Sequence, residues 1–317
     1  MGGQEVWRQR SPDRLGLSGP ATTLTNVMAE QSQELAGRGA IITGANRGLG
    51  RVIAEYFVRA GASVLLTARD GDLLSQVHRE VARLARGEQK IISRAGDVSK
   101  RADCDAWVSQ ASGELPNFCI LVNNAGIHGA KGALDEADWD QWVRTIEVNL
   151  FGPVYLCRAV IPLFKQKRYG KIINLSGGGA TSPMPHVSAY AASKAALVRT
   201  TETLAVELKD WNIDINAIAP GAMNTRMLEE VLEAGPEKVG KDLYERSLKQ
   251  KAEGGAPPEK AASLAVFLAS AKTDGISGRL ISAVWDDWRK LPEQREQLAK
   301  SDVFTLRRIV PKDRGIE

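Results

Sequence analysis

The chain has 317 residues, of which 43% are hydrophobic and 25% charged, a composition that supports one large core. Its formal net charge of +4 is mild and its Lys and Arg residues are scattered, which excludes a concentrated nucleic-acid footprint. Three cysteines without metal-ligand spacing favour reduced thiols in a cytoplasmic protein. We therefore expect no nucleic-acid partner and no metal site.

Residues 1–36 are predicted to form a disordered leader. Residues 1–30 are polar, are punctuated by Gly and Pro, and lack a continuous apolar stretch that could serve as a signal peptide or membrane span. Met28 could be the true first residue. The sequence predicts no association with a membrane.

Short apolar runs alternate with longer amphipathic runs from Gly37 onward, a pattern that predicts βαβ units. The fold class is therefore α/β, with a doubly wound parallel sheet of about seven strands and helices on both faces. The predicted strands are GAIITGA, ASVLLTA, KIISRAG, FCILVNNAG, GKIINLSG, IDINAIAPG and GRLISAVW.

The domain is predicted to span residues 37–288, and residues 289–317 form a charged C-terminal tail. Within the domain, residues 226–258 are charged and helical in composition, with Gly235 and Gly240 as breakers. This segment is predicted to be a substrate flap, and an ordinary surface insertion would have the same composition.

The first strand runs directly into TGANRGLG, residues 43–50, and then into a helix. Gly44, Gly48 and Gly50 would let the backbone turn sharply and approach a pyrophosphate at the helix N-terminus. A tight turn without a ligand is the alternative reading of a lone glycine pattern.

The end of the second strand reads TARD, so Ala68 stands where a carboxylate would bind a ribose 2′-hydroxyl. Arg69 follows it, and Arg47 lies in the glycine loop. Two guanidinium groups favour a 2′-phosphate, and therefore NADP over NAD. Asp70 is close enough to leave NAD open.

Tyr190 and Lys194 are four residues apart in a helix-forming run, so their side chains share a helix face. A nearby ammonium stabilises a phenolate, so we expect Lys194 to lower the pKa of Tyr190. Tyr190 can then act as the acid or base of an alcohol–carbonyl interconversion. Asn149 lies in an apolar helical stretch, where its amide needs partners.

TGANRGLG, GDV, NNAG, the helical Asn149, YAASK and PGAMNT, in this order, resemble the short-chain dehydrogenase/reductase family over about residues 37–285. The resemblance implies a single-domain Rossmann fold of the ordinary-length branch, a small-molecule carbonyl or alcohol substrate, and a homodimer or homotetramer. It also implies that Asp97 contacts adenine, Asn123 lines the cofactor cleft, Lys194 holds the ribose and Thr225 touches the carboxamide. The full predicted cofactor set is Gly44, Asn46, Arg47, Gly48, Leu49, Gly50, Arg69, Asp97, Val98, Asn124, Ala125, Gly126, Tyr190, Lys194, Pro220, Gly221 and Thr225.

One hydroxyl group departs from the family pattern. The family usually carries a serine thirteen residues before the tyrosine, and here that position is Gly177. Ser176, one residue earlier, is predicted to replace it beside Tyr190, Lys194 and Asn149. Thr181, Ser182 or a backbone N–H could take the role instead, or activity could be weakened.

The function predicted is that of an NADP(H)-dependent oxidoreductase with Tyr190 as acid/base. A cofactor-binding regulatory or scaffold protein of the same fold is the alternative. His128, two residues after NNAG, could face the cleft. The tail could fold over the cleft or pack on another subunit, and over the cleft its indole and guanidinium groups would suit a polar, ring-shaped or anionic substrate. The side chains concerned are Trp285 and Trp288, just before the tail, and Arg307 and Arg308 within it; simple packing of the tail on the surface is the other alternative.

Overall fold

The computed structural model describes residues 33–316, and its seven predicted strands form one parallel sheet. The strand order is β3-β2-β1-β4-β5-β6-β7, the arrangement of a doubly wound fold. The carboxyl ends of the central strands therefore meet at one edge of the sheet. The strands are β1 (Gly39–Thr43), β2 (Ser63–Ala68), β3 (Ile91–Ala95), β4 (Phe118–Asn123), β5 (Gly170–Leu175), β6 (Ile213–Ala219) and β7 (Leu280–Ser282).

Helices cover both faces of the sheet. They are α1 (Gly48–Arg59), α2 (Gly71–Ala82), α3 (Arg101–Glu114), α4 (Trp139–Ile146), α5 (Gly152–Lys167), α6 (Ser188–Leu208), α7 (Arg226–Ala234), α8 (Pro236–Val239), α9 (Lys241–Glu253), α10 (Pro258–Ala269) and α11 (Arg295–Ala299). Helices α1, α2 and α10 bury apolar side chains against one face, and α3, α5 and α6 against the other. The predicted fold class is confirmed.

A single π-helical turn, Glu147–Phe151, joins α4 to α5 and makes one continuous helical run. The run begins at Trp139, where the Asp138 carboxylate accepts the Gln141 N–H and caps the helix. By length and composition, Trp139–Lys167 could cross a membrane. Core helices share these properties, and this run buries Leu156, Val160 and Phe164 beside the sheet.

The predicted flap is helical, as its composition indicates. Helices α7, α8 and α9 are separated by Gly235 and Gly240, whose φ angles are +77° and +78°. Residues other than glycine rarely adopt this backbone conformation, so the two breakers set the path of the flap.

Residues near both ends of the described range 33–316 pack more closely on the core than the sequence indicates. Of the predicted leader, residues 1–32 lie outside the described residues, whereas Leu35 is fully buried. In the tail, Leu291 and Leu298 are buried in the same core as α1. The tail thus continues the fold beyond residue 288.

The tail covers the edge of the sheet beside β7. The Leu280 N–H donates to the Phe304 carbonyl at 2.8 Å. The Arg279 guanidinium donates to the carbonyls of Ser301 and Val303 at 3.0 and 2.7 Å, and also to that of Leu298. The first bond occupies a backbone N–H that an open edge strand would expose, and the Arg279 bonds hold the tail beside the strand.

Candidate active site

A cleft of about 1600 Å³ opens at the carboxyl ends of the strands. Loops after β1, β2, β3, β4, β5 and β6 line it on one side, and α7 and α9 of the flap line it on the other. All seventeen predicted cofactor-binding residues, from Gly44 to Thr225, lie on its wall. In open parallel sheets this is where ligands bind.

The glycine loop is shaped for close approach of a ligand. Gly44 has φ +64°, and a Cβ at this residue would lie 2.9 Å from the Ala125 Cα. A Cβ on Gly50 would come within 3.0 Å of the Gly44 carbonyl and of the Asn124 amide. Only glycine fits at both positions, so the loop and the start of α1 form a narrow cradle of the kind that receives a pyrophosphate.

Asn124 and Thr43 join the glycine loop to the NNAG loop. The Asn124 side chain donates to the Thr43 carbonyl at 2.9 Å, and the Thr43 Oγ1 accepts the N–H groups of Asn124 and Ala125 at 3.0 Å each. Asn123, expected to line the cleft, does not. It is buried, and its amide donates to the Asn174 Oδ1 at 2.8 Å.

Basic side chains stand at the end of the cleft beside β2. Ala68 ends β2, and both Arg47 and Arg69 are exposed on the cleft wall. The Asp70 carboxylate accepts the Leu73 N–H at 3.0 Å and caps α2. Asp70 therefore already has a structural role, whereas the two guanidinium groups have no ion-pair partner among residues 33–316.

Asp97 is held in place by neighbours on α4 and in its own loop. Its carboxylate accepts from the Ser99 N–H at 3.0 Å and the Ser99 hydroxyl at 2.9 Å, and it pairs with Arg144. Burial favours the neutral acid, but these bonds outweigh it and lower the pKa of Asp97. Asp97 is thus an ionised, positioned acceptor on the cleft wall.

Tyr190 and Lys194 lie on the same face of α6, and both side chains are buried. The Lys194 Nζ donates to the Leu175 carbonyl at 2.8 Å and lies 5.8 Å from the centre of the Tyr190 ring. Burial raises the pKa of Tyr190 to about 12 and lowers that of Lys194 to about 8. In the protein alone, burial therefore outweighs the expected lowering of the tyrosine pKa.

Asn149 lies in the π-helical turn and is fully buried behind the cleft. Its Oδ1 accepts the Ile127 N–H at 2.9 Å, and its Nδ2 donates to the Ile127 carbonyl at 2.9 Å and to the Ser193 Oγ at 3.1 Å. Asn149 thus links the loop after β4 to α6. These hydrogen bonds are the partners that its amide needs in an apolar helix.

Ser176 and Gly177 follow β5 and line the cleft beneath Tyr190. The Ser176 Oγ is buried and has no hydrogen-bond partner among the described residues. A Cβ at Gly177 would lie within 3.0 Å of the Tyr190 hydroxyl. Of the alternative hydroxyls, Thr181 lines the cleft and Ser182 does not.

The structure places one of the four C-terminal side chains predicted to cover the cleft on its wall. Trp285 is on the cleft wall and 85% exposed, whereas Trp288 is buried against Phe267. Arg307 pairs with Asp302 and Asp313, and neither Arg307 nor Arg308 reaches the cleft. The proposed stacking and anion-binding roles of Trp288, Arg307 and Arg308 over the cleft are therefore wrong.

Several residues that line the cleft belong to no sequence motif and are absent from the predicted site. The flap contributes several; the amphipathic pattern of α7 indicates a buried face but not that this face borders the cleft. The flap residues are Met227, Leu228, Leu243, Arg246, Ser247 and Gln250, and Met184 and Asp286 also line the wall.

Comparisons with known proteins agree with this geometry. A family described as short chain dehydrogenase matches residues 38–235. The chain is 36% identical to 3beta-hydroxysteroid dehydrogenase 1 of Eggerthella lenta over 77% of its own length and 91% of that protein. It is 30% identical to D-beta-hydroxybutyrate dehydrogenase of Rhizobium meliloti, over 77% and 95% of the two chains.

Solved structures give the same result. The structure of gluconate 5-dehydrogenase from Burkholderia cenocepacia, in complex with NADP and tartrate, superimposes with a TM-score of 0.69 at 26% identity. The match covers 80% of this chain and 96% of that one. Since the family matches residues 38–235, which include β1 to β6 and the loops that follow them, and relatives of 30% identity or more cover about three quarters of the chain, the chain belongs to the short-chain dehydrogenase/reductase family of oxidoreductases.

Proposed function

We propose that the protein is an NADP(H)-dependent oxidoreductase that interconverts a ketone or aldehyde and an alcohol, with Tyr190 as the acid/base. The observation that carries this proposal is the placement of the Tyr190 hydroxyl beside Gly177 on the cleft wall, with Lys194 behind it. The nicotinamide cofactor, when bound, supplies the hydride.

The buried phenol suits the reductive direction. Because burial raises the pKa of Tyr190 to about 12, the side chain is protonated at neutral pH and can give its proton to a substrate oxygen that becomes an alkoxide. In the oxidative direction Tyr190 must accept a proton, and the Lys194 ammonium stabilises the resulting phenolate. The Leu175 carbonyl holds Lys194 in position for this role.

Three side chains support NADP over NAD. Arg47 and Arg69 present guanidinium groups at the end of β2, and guanidinium groups bind phosphate in a bidentate manner. Asp70, the carboxylate that could favour NAD, caps α2. The gluconate 5-dehydrogenase structure contains NADP, which is consistent with this preference.

The test is a titration with NADPH and NADH followed by turnover of cyclohexanone, acetoacetate and a 3-ketosteroid. We expect tighter binding of NADPH, and Tyr190→Phe is expected to reduce turnover by about 10² to 10⁴-fold. Tyr155→Phe, a change on α5 away from the cleft wall, is the matched control. Equal turnover by the wild type and Tyr190→Phe would refute the proposed chemistry.

Gly177 favours a second candidate, a cofactor-binding regulatory or scaffold protein with weak or lost catalysis. The position lacks the serine side chain of the family pattern. The same experiment separates the two functions, because a scaffold would bind NADPH without any turnover that depends on Tyr190.

The proposal includes assembly into a homodimer or homotetramer in the cytoplasm. Trp139, Val143 and Phe151 are exposed apolar side chains along one helical run, and Val206 on α6 is 78% exposed. Such exposed apolar residues are typical of a surface that another subunit covers. Light scattering after size-exclusion chromatography measures the assembly state.

Cys104, Cys119 and Cys157 are all free and buried, which suits a reducing compartment.

A further inference from the structure

With Tyr190 in its present position, the space next to its hydroxyl leaves no room for a side chain at position 177, so a serine there would require the phenol to move. Any side chain there begins with a Cβ, and that atom would lie within 3.0 Å of the phenol oxygen. Position 177 therefore supplies no hydroxyl, and the Tyr190 phenol lies close to the backbone of Gly177. A carbonyl oxygen bound by Tyr190 still gains from a second donor, because oxygen charge develops during reduction.

His128 lies on the other side of Tyr190. The two rings meet edge to face, with centroids 4.7 Å apart and planes at 84°. His128 lines the cleft two residues after the NNAG loop, at the carboxyl end of β4. It is therefore next to the tyrosine in the region where a substrate oxygen must bind.

The backbone on both sides of His128 is fixed. Asn149 holds the N–H and the carbonyl of Ile127 at 2.9 Å each. Gly129 has φ +68° and packs so closely on Thr145 that a Cβ there would clash with its side chain. A ring set between two such anchors is preorganised, which is what a group that stabilises a transition state requires.

The chemistry of the ring suits a neutral donor. Burial, together with the positive charges of Lys131 and Lys194, lowers the pKa of His128 to about 4, so the imidazole is uncharged at neutral pH. A neutral imidazole has one N–H donor and one acceptor nitrogen. Nδ1 is buried and has no partner among the described residues. The nitrogen left for the cleft is Nε2.

We propose that the His128 Nε2–H donates a hydrogen bond to the substrate oxygen beside Tyr190, in place of the serine hydroxyl that position 177 lacks. The inference rests on the proposed oxidoreductase function. Tyr190 transfers the proton, and His128 keeps its own while it stabilises the developing negative charge. Ser176 is the competing donor, but its Oγ is enclosed and its N–H is bonded to the Ile218 carbonyl at 2.8 Å.

The test compares His128→Phe, His128→Gln and Ser176→Ala in the full chain, with the panel ketone that has the highest kcat/KM. Phenylalanine keeps the edge-to-face packing and removes the donor, so we expect kcat to fall by about 10²-fold while KM stays within threefold. Glutamine keeps an N–H and is expected to recover at least a tenth of the lost rate. Unchanged NADPH affinity and melting temperature separate this loss from a structural defect, and His78→Phe on α2 is the matched control.

Each outcome decides the matter. A large loss of kcat in His128→Phe with recovery in His128→Gln supports the inference. Wild-type kcat in His128→Phe, with turnover still abolished by Tyr190→Phe, overturns it and leaves the oxidoreductase function standing. A large loss in Ser176→Ala alone assigns the donor to Ser176. If no panel ketone shows Tyr190-dependent turnover, both proposals fail. Should His128→Phe not fold, His128→Ala makes the same comparison.

Discussion

The Tyr190 hydroxyl lies against the Cα of Gly177, so close that a Cβ on residue 177 would be within 3.0 Å of the phenol oxygen. The family pattern suggests that Gly177→Ser would restore a missing catalytic group. The structure predicts the opposite, because the new side chain must displace the phenol from the substrate position. We expect Gly177→Ser and Gly177→Ala to lower kcat/KM by about tenfold or more, since small displacements of reacting groups are costly.

Gly178→Ala is the matched control for this prediction, since a Cβ at Gly178 meets nothing within 4 Å. It adds the same methyl group to the same loop and is expected to keep near-wild-type kcat/KM. An increase in kcat/KM with Gly177→Ser would show that Tyr190 can move aside and that the serine role is still open.

The strands and the glycine loop could be predicted from sequence because their signals are local. Each strand is an apolar run that ends at a polar or small residue, and the glycine loop is a short motif that follows β1 directly and leads into α1. The position of Asn123 could not be predicted, since adjacent residues at a strand end point to opposite sides. The resemblance placed Asn123 on the cleft, and Asn124 lies there instead.

Burial and long-range contacts account for what the sequence did not predict. The pKa of Tyr190 depends on how deeply the ring is enclosed, which the spacing to Lys194 does not reveal. The path of the tail depends on Arg279, whose guanidinium binds the carbonyls of Leu298, Ser301 and Val303. These residues lie 19, 22 and 24 positions further along the chain. No periodic pattern in residues 289–317 predicts these contacts.

The cofactor preference is tested at the end of β2. Arg69→Ala is expected to weaken NADPH binding by about 10- to 100-fold, the cost of a lost hydrogen bond to a charged group. The Kd for NADH should stay within about threefold in the same fluorescence titration, because NADH has no 2′-phosphate. Arg79→Ala, an exposed arginine on α2, controls for net charge. Parallel losses for both nucleotides would remove Arg69 from the phosphate site.

The ionisation of Lys194 is expected to limit activity at high pH. Burial lowers its pKa to about 8, so above that pH the free protein loses the ammonium group that supports Tyr190. We expect kcat/KM for the nucleotide, which reports the free protein, to be level below pH 8 and to fall as pH rises further. Lys194→Arg should have a lower plateau without this fall, because a guanidinium stays charged. An identical fall in Lys194→Arg would assign the ionisation to another group.

His128 makes stability depend on acid pH. Its pKa falls from an ordinary 6.5 to about 4 in the folded protein. Between these values the unfolded chain binds a proton that the folded protein excludes, so the stabilising contribution of the neutral ring is present above pH 6.5 and is lost as pH falls to 4. The loss amounts to about 2–3 kcal/mol by pH 4.5. Urea unfolding at pH 7 and 4.5 should show a smaller decline for His128→Gln, and equal declines would mean that the imidazole is charged in the folded state.

The tail is tested through Leu298, which is buried in the core that α1 and α10 share, and whose carbonyl accepts from Arg279. Leu298→Ala leaves a cavity and is expected to lower the free energy of unfolding by about 2–5 kcal/mol. Val303→Ala, in the same segment but 49% exposed, should cost less than about 0.5 kcal/mol. Because the tail covers the β7 edge and not the cleft, kcat and KM of both folded variants should match the wild type. A raised KM in Leu298→Ala without loss of stability would instead place the tail in substrate binding.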